Sequence, residues 1–159
     1  MIYCALVQSL LSYGILAWGA CRSNALHNLL ITQKYIIKNM LRLPRLFSTD
    51  LLFDEKNFLS IRHLYLKKAL HYFFRTRHTH ERSQQTRVTR RMLAHNYIEP
   101  FRSSVFGQRC YAYLAPRFFN RLPDSIKNLE SMGSFKSKSS GWVQDIPYRM
   151  LGEILGFVP

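Results

Sequence analysis

Nine acidic residues are spread along the 159-residue chain: Asp50, Asp54, Glu55, Glu81, Glu99, Asp124, Glu130, Asp145 and Glu153. Two-metal phosphoryl or nucleotidyl transfer needs carboxylates gathered around the ions. Only Asp50 and Asp54 fall on one helical face, in a short segment without a partner motif. No P-loop, G-x-S-x-G or H-E-x-x-H sequence occurs. His78-x-His80, taken with His71, His95 and Cys110, offers zinc donors but none of the standard zinc spacings. Residue types and spacings therefore predict no active site, no metal or cofactor and no small-molecule substrate for this chain.

The basic residues tell a different story. Lysine and arginine number 23, the net charge is +14, and residues 1–21 carry none of it. A surplus of that size calls for a polyanionic partner, either nucleic acid or an acidic membrane surface. Lys34, Lys38 and Arg42 stand at i, i+4 and i+8, and no acid occurs between Arg22 and Phe47. Solvated surface lysines would account for three charges; a stripe turned toward phosphates also accounts for the missing acids. His63, Lys67, His71 and Arg75 repeat the spacing.

The stretch RTRHTHERSQQTRVTRR, residues 75–91, then holds six arginines and one acid, Glu81. Arginine pairs bidentately with phosphate and stacks on bases, and the same cluster would also serve as a nuclear-localisation patch. The candidate nucleic-acid contacts are thus Lys34, Lys38, Arg42, Lys67, Arg75, Arg77, Arg87, Arg90 and Arg91. Further on, Phe106, Tyr111, Tyr113, Phe118 and Phe119 interleave with Arg109, Arg117 and Arg121, either to stack bases or to pack a small core.

The elements that must position these residues read as mostly α. Hydrophobic residues make up 47% of the chain, and only seven Gly and six Pro interrupt it. Residues 1–21 are long enough to span a bilayer, but Gln8, Ser9, Ser12, Gly14 and Gly19 dilute the run and no positive residue precedes it. Tyr3, Leu6, Leu10, Tyr13 and Ala17 instead mark the face of a soluble helix. A second helix is expected over 25–43, ended by Pro44, with Leu26, Leu30, Gln33, Ile37, Met40 and Leu41 inward. A short helix starts at Ser48 or Thr49, and a third long one, capped by Ser60, runs over 61–75.

The expected organisation is a helical unit over 1–75, a mobile basic linker over 76–91, a C-terminal piece over 92–140 and an unassigned end over 141–159. Within the C-terminal piece, Pro116 and Pro123 are expected to break structure, and Asp124 or Ser125 to cap a short helix. Cys4, Cys21 and Cys110 form no paired framework and read as small core thiols in a reducing compartment.

Several of these words occur together in a known family. Tyr3, Ala5-Leu6-Val7-Gln8-Ser9, Leu11-Ser12-Tyr13-Gly14-Ile15 and Trp18-Gly19 resemble the segment after the catalytic palm of jockey-like non-LTR (LINE-type) retrotransposon reverse transcriptases. Gln33-Lys34, Leu51-Phe53 and Ile61-x-x-Leu64-Tyr65 are similar in order and spacing. Gly107-Gln108-Arg109, Tyr113, Ala115-Pro116, Asn120, Leu122-Pro123, Ile126 and Ser134-Phe135-Lys136 resemble the same family's C-terminal tail.

Phe119 stands where the family usually has Trp, and residues 141–159 depart from its pattern. The resemblance, over about residues 2–140, implies the thumb and C-terminal region of an RNA-directed DNA polymerase. Magnesium would be held by a palm outside this sequence, and the thumb would grip template and primer. It also implies that residues 1–21 form a helix left partly exposed where a palm would pack. An intracellular location, nuclear or cytoplasmic, follows; the alternative is a small membrane-anchored or secreted basic protein led by the uncharged segment.

Overall fold

The computed structural model describes residues 3–21, 23–55, 58–80 and 97–155. The fold is mostly α, with no strand element among the described residues. Its axis is α5, Ile61–Thr76. Ser60 caps this helix: its hydroxyl accepts from the His63 amide at 3.3 Å, and the Ser60 amide donates back to His63 Nδ1 at 3.3 Å. That reciprocal pair satisfies two donors an open helix end would leave exposed. Nine side chains of α5 are buried, from Ile61 to Phe74. A helix buried on most of its circumference needs neighbours on several sides.

Those neighbours come from both ends of the chain. On one side lie a π-helical turn, Cys4–Gln8, and two short helices, α1 (Ser9–Ser12) and α2 (Ile15–Trp18). On the other lie α6 (Tyr111–Asn120) and α8 (Met132–Gln144). Aromatic rings lock α5 to both: Phe74 stacks on Phe135 with centroids 3.9 Å apart, and Phe73 meets Phe119 at 5.2 Å. Tyr97 closes on Phe73 at 4.9 Å and is held by a reciprocal pair of 2.9 Å bonds between its backbone and the Asn120 amide. Side chains from Tyr3 to Leu151 thus share one core, so the segments expected as separate pieces are packed together.

Several expectations give way here. The N-terminal segment is helical but broken: Tyr13 is extended and Gly14 takes a left-handed φ of 60°. The Trp18 indole donates to the Tyr13 carbonyl at 3.0 Å and holds that break. The π-helical turn and the break both depart from one regular helical period, and Tyr3, Ile15 and Ala20 are buried while Leu6, Leu10 and Tyr13 stay exposed. Partial exposure of this segment and burial of Tyr3 were expected; exposure of Leu6, Leu10 and Tyr13 was not.

Helix α3, Ser23–Met40, buries Leu26, Leu30, Gln33 and Ile37 as expected, but stops short of Leu43 and leaves Met40 and Leu41 outside. The stop is a Schellman turn: the Leu43 amide donates to Lys38 O at 2.9 Å, the Arg42 amide to Asn39 O at 3.2 Å, and Arg42 takes a φ of 53°.

Pro116 lies inside α6 rather than ending it, because burial of its ring in the core compensates for one missing helical bond. Pro123 does break the chain, ahead of α7, Asp124–Lys127. All three cysteines are exposed, not buried. The linker expected from residue 76 is helical at Thr76 and continues as a 3-10 turn, Arg77–Thr79; its remainder lies outside the described residues.

The end left unassigned is part of the fold, since α8 crosses residues 140–141. Val143, Ile146 and Leu151 are buried, and α9, Leu151–Leu155, docks beside α5 and α6.

Gln33 ties three of these pieces. Its amide donates to the Tyr3 hydroxyl at 2.7 Å and to Leu59 O at 2.8 Å, and its oxygen accepts from the Ile61 amide at 3.1 Å. With Gln33 only 1% exposed, water does not reach the site. Gln33→Ala is expected to destabilise by about 3 kcal/mol, because it orphans a buried helix-start amide and removes two further bonds. Urea denaturation reads the change; a loss below about 1 kcal/mol would show that the network is not needed.

Candidate nucleic-acid interface

Lys34 and Lys38 occupy successive turns of α3, as the i+4 spacing requires. The Lys34 ammonium lies 5.9 Å from the centroid of the Tyr148 ring, and Tyr148 stacks on Phe53 at 4.9 Å. Phe53 belongs to α4, Thr49–Asp54, which begins where Ser48 and Thr49 were expected to start it. The segment Tyr148–Arg149 is fastened to α4 by the two acids that lacked a partner in the sequence. Asp54 accepts from the Tyr148 amide at 2.9 Å, and Asp50 pairs with the Arg149 guanidinium.

Arg62 also acts electrostatically on both Lys34 and Tyr148. The face therefore gathers Lys34, Lys38, Arg62 and Arg149 against Asp50 and Asp54. Arg149 keeps 81% of its side chain in solvent despite its pairing. Partial burial and the like charges of Lys38 and Arg62 lower the pKa of Lys34, while Asp50 opposes them. A cationic group crowded in this way gains when an anion arrives.

The remaining candidates separate. Lys38 donates to Arg45 O at 2.8 Å, closing the loop after α3. Arg42 is exposed but sits past the helix end, off the helical line of the other two. On α5 the second stripe does not form a solvent face. His63 is buried, with Nε2 3.0 Å from Ile146 O; since a carbonyl only accepts, Nε2 carries the proton and Nδ1 accepts from Ser60. Arg75 is exposed in the last turn.

Arg77 is committed to the fold, its guanidinium 3.9 Å from the Phe74 centroid and bonded to Leu129 O at 3.1 Å. Arg87, Arg90 and Arg91 lie outside the described residues. Lys67 is half-buried and lies about 140° around α5 from Arg62 at 3.6 residues per turn. It borders a different cleft, with Lys68 and His71.

Of the aromatic–arginine run, Phe118 and Phe119 are core residues. Arg117 pairs with Glu99 at 3.5 Å and bonds the Tyr113 hydroxyl, and Arg121 donates to the Glu153 and Ile154 carbonyls of α9. Packing accounts for Phe118, Phe119, Arg117 and Arg121, whereas Phe106 is 82% exposed. Sequence reasoning missed Arg62, Lys68 and Arg149. The signal for Arg149 was the unpaired Asp50–Asp54 face, which requires a basic or amide partner from elsewhere.

Among the described residues no cluster of three His, Cys, Asp or Glu could hold a metal ion, and no helix is long and apolar enough to cross a membrane. Comparison with protein families, curated proteins and solved structures finds no match to this chain.

Three histidines contribute to a pH dependence, since burial and His78 also lower the pKa of His80. Burial lowers the pKa of His63, and burial with Lys67, Lys136 and Lys68 nearby lowers that of His71 to about 4, from an ordinary 6.5. Below pH 6.5 the unfolded chain takes up protons that the folded chain refuses. Stability is therefore full above pH 6.5 and falls as the pH drops toward about 4. Each proton bound only by the unfolded state steepens the loss by about 1.4 kcal/mol per pH unit. Thermal midpoints between pH 7.5 and 4 test this, and a His71→Leu variant is expected to show a shallower fall. Equal slopes would remove His71 from the account.

Proposed function

We propose that this chain is a non-catalytic nucleic-acid-binding region of a retroelement RNA-directed DNA polymerase, gripping the sugar–phosphate backbone as a thumb does. The observation that carries the reading is the convergence of Lys34, Lys38, Arg62 and Arg149 on one face around Tyr148. These groups contact charge and not base edges, so the grip is indifferent to sequence. Leu6 and Leu10, 66% and 75% exposed, form the apolar surface against which a palm would pack. The partners are accordingly an RNA or DNA duplex and the palm of the same polymerase, with magnesium belonging to that palm.

Fluorescence anisotropy with labelled duplexes tests the reading. Two DNA duplexes and two RNA–DNA hybrids of unrelated sequence are expected to bind within about three-fold of one another at low salt. Failure to bind any of them, or discrimination of a hundred-fold or so between sequences, overturns it.

A further inference from the structure

We propose that the cleft between the broken N-terminal helix and α5 seats one nucleotide of a single strand, its phosphate on Lys67 and Lys68 and its base against Tyr13. The proposal rests on the nucleic-acid reading above and gives it a second site of different specificity.

The cleft is an open groove of about 560 Å³, bordered by Lys67, Lys68 and His71 from α5 and by Gln8, Ser12 and Tyr13 from the facing segment. No acid lines it. On the Lys34 face, by contrast, Asp50 and Asp54 sit among the cations. The two ammonium groups and the Gln8 amide match the oxygens of a phosphate. The volume is that of a nucleotide-sized ligand, well above what inorganic phosphate would fill.

Tyr13 supplies the rest of the site. Its side chain is 84% exposed and borders the cleft, so its ring is open to a ligand. Its position is fixed by extended backbone at Tyr13, the left-handed Gly14 and the Trp18 indole bonded to its carbonyl. A ring held out beside lysines is the arrangement on which unpaired bases stack. Bases inside a duplex face one another and cannot reach it. The Lys34 face takes phosphates from either form, whereas this cleft requires an unpaired nucleotide.

The test uses the full chain, an oligothymidylate of about 16 nucleotides and a duplex of equal length, read by anisotropy. Tyr13→Ala is expected to weaken strand binding about ten-fold and duplex binding less than two-fold or so, with Tyr13→Phe restoring the strand. Lys67→Gln with Lys68→Gln should weaken the strand by a similar factor. Thymidine monophosphate should displace the strand at lower concentration than inorganic phosphate does. Circular dichroism checks that each variant stays folded.

Binding to both nucleic acids with no strand-specific loss in Tyr13→Ala overturns the cleft while leaving the backbone grip intact. Equal competition by inorganic phosphate shows an anion site without a base and also overturns it. Binding to neither nucleic acid overturns both readings together.

Discussion

Gly19→Ala is expected to lower stability by about 3 kcal/mol, more than any other single-methyl addition at a described glycine. The reason is space and not backbone conformation, since Gly19 has an ordinary helical φ of −66°. A Cβ there would stand 2.5 Å from Ile15 O and overlap the Tyr65 ring, with Tyr65 Cγ at 2.9 Å. Neither neighbour can yield cheaply. Ile15 O already accepts the Gly19 amide at 2.7 Å, and Tyr65 is fully buried edge-on to Phe118. Gly19 follows α2 and faces Tyr65 of α5, so the clash would lever the N-terminal segment away from the core.

Gly141→Ala is the matched control. No atom lies within 4 Å of its added carbon, and helical alanine should stabilise α8 by about 0.5–1 kcal/mol. Thermal or urea melts of the two variants read the contrast. A Gly19→Ala loss under about 0.5 kcal/mol would mean that α2 and α5 are not packed as described.

Reversing Lys34, Lys38 and Arg62 together to Glu carries the second large effect, on affinity. Each phosphate neutralised by a cation releases counterions with a salt exponent of about 0.9, which at 0.1 M salt is a factor of about eight per contact. Losing three contacts predicts a fall of roughly 500-fold, before the new repulsion is counted.

Arg42 is the control, because it lies past the end of α3, off that face, at a left-handed φ of 53° that costs a non-glycine residue about 1 kcal/mol. Arg42→Gly should therefore slightly raise the melting temperature while changing duplex binding less than about three-fold. Unchanged affinity in the triple variant would make Lys34, Lys38 and Arg62 ordinary surface residues.

Local signals were enough for the elements whose cause is local. Ser60 and the apolar spacing of 61–74 announced α5, and Asp50 after Ser48-Thr49 announced the start of α4. The inner face of α3 through Ile37 was equally plain. What escaped depends on distant partners. The break at Tyr13–Gly14 is held by the Trp18 indole, and with the π-helical turn Cys4–Gln8 it interrupts the single helical period expected here.

Residues 141–155 showed no pattern of their own because their anchors are His63, Asp54 and Asp50, 83, 94 and 99 positions away. The candidate site divided for the same reason. Spacing placed Lys34 and Lys38 correctly, but only tertiary packing could bring Arg62 and Arg149 to them and turn Lys67 toward another cleft.

The most direct measurement is the salt dependence of duplex binding by the wild-type chain and by the variant with Lys34, Lys38 and Arg62 changed to Gln. A linear fall of log K with log salt is expected for both, with the variant's slope shallower by about two to three. A flat wild-type line, or identical slopes, would contradict a backbone grip by this face.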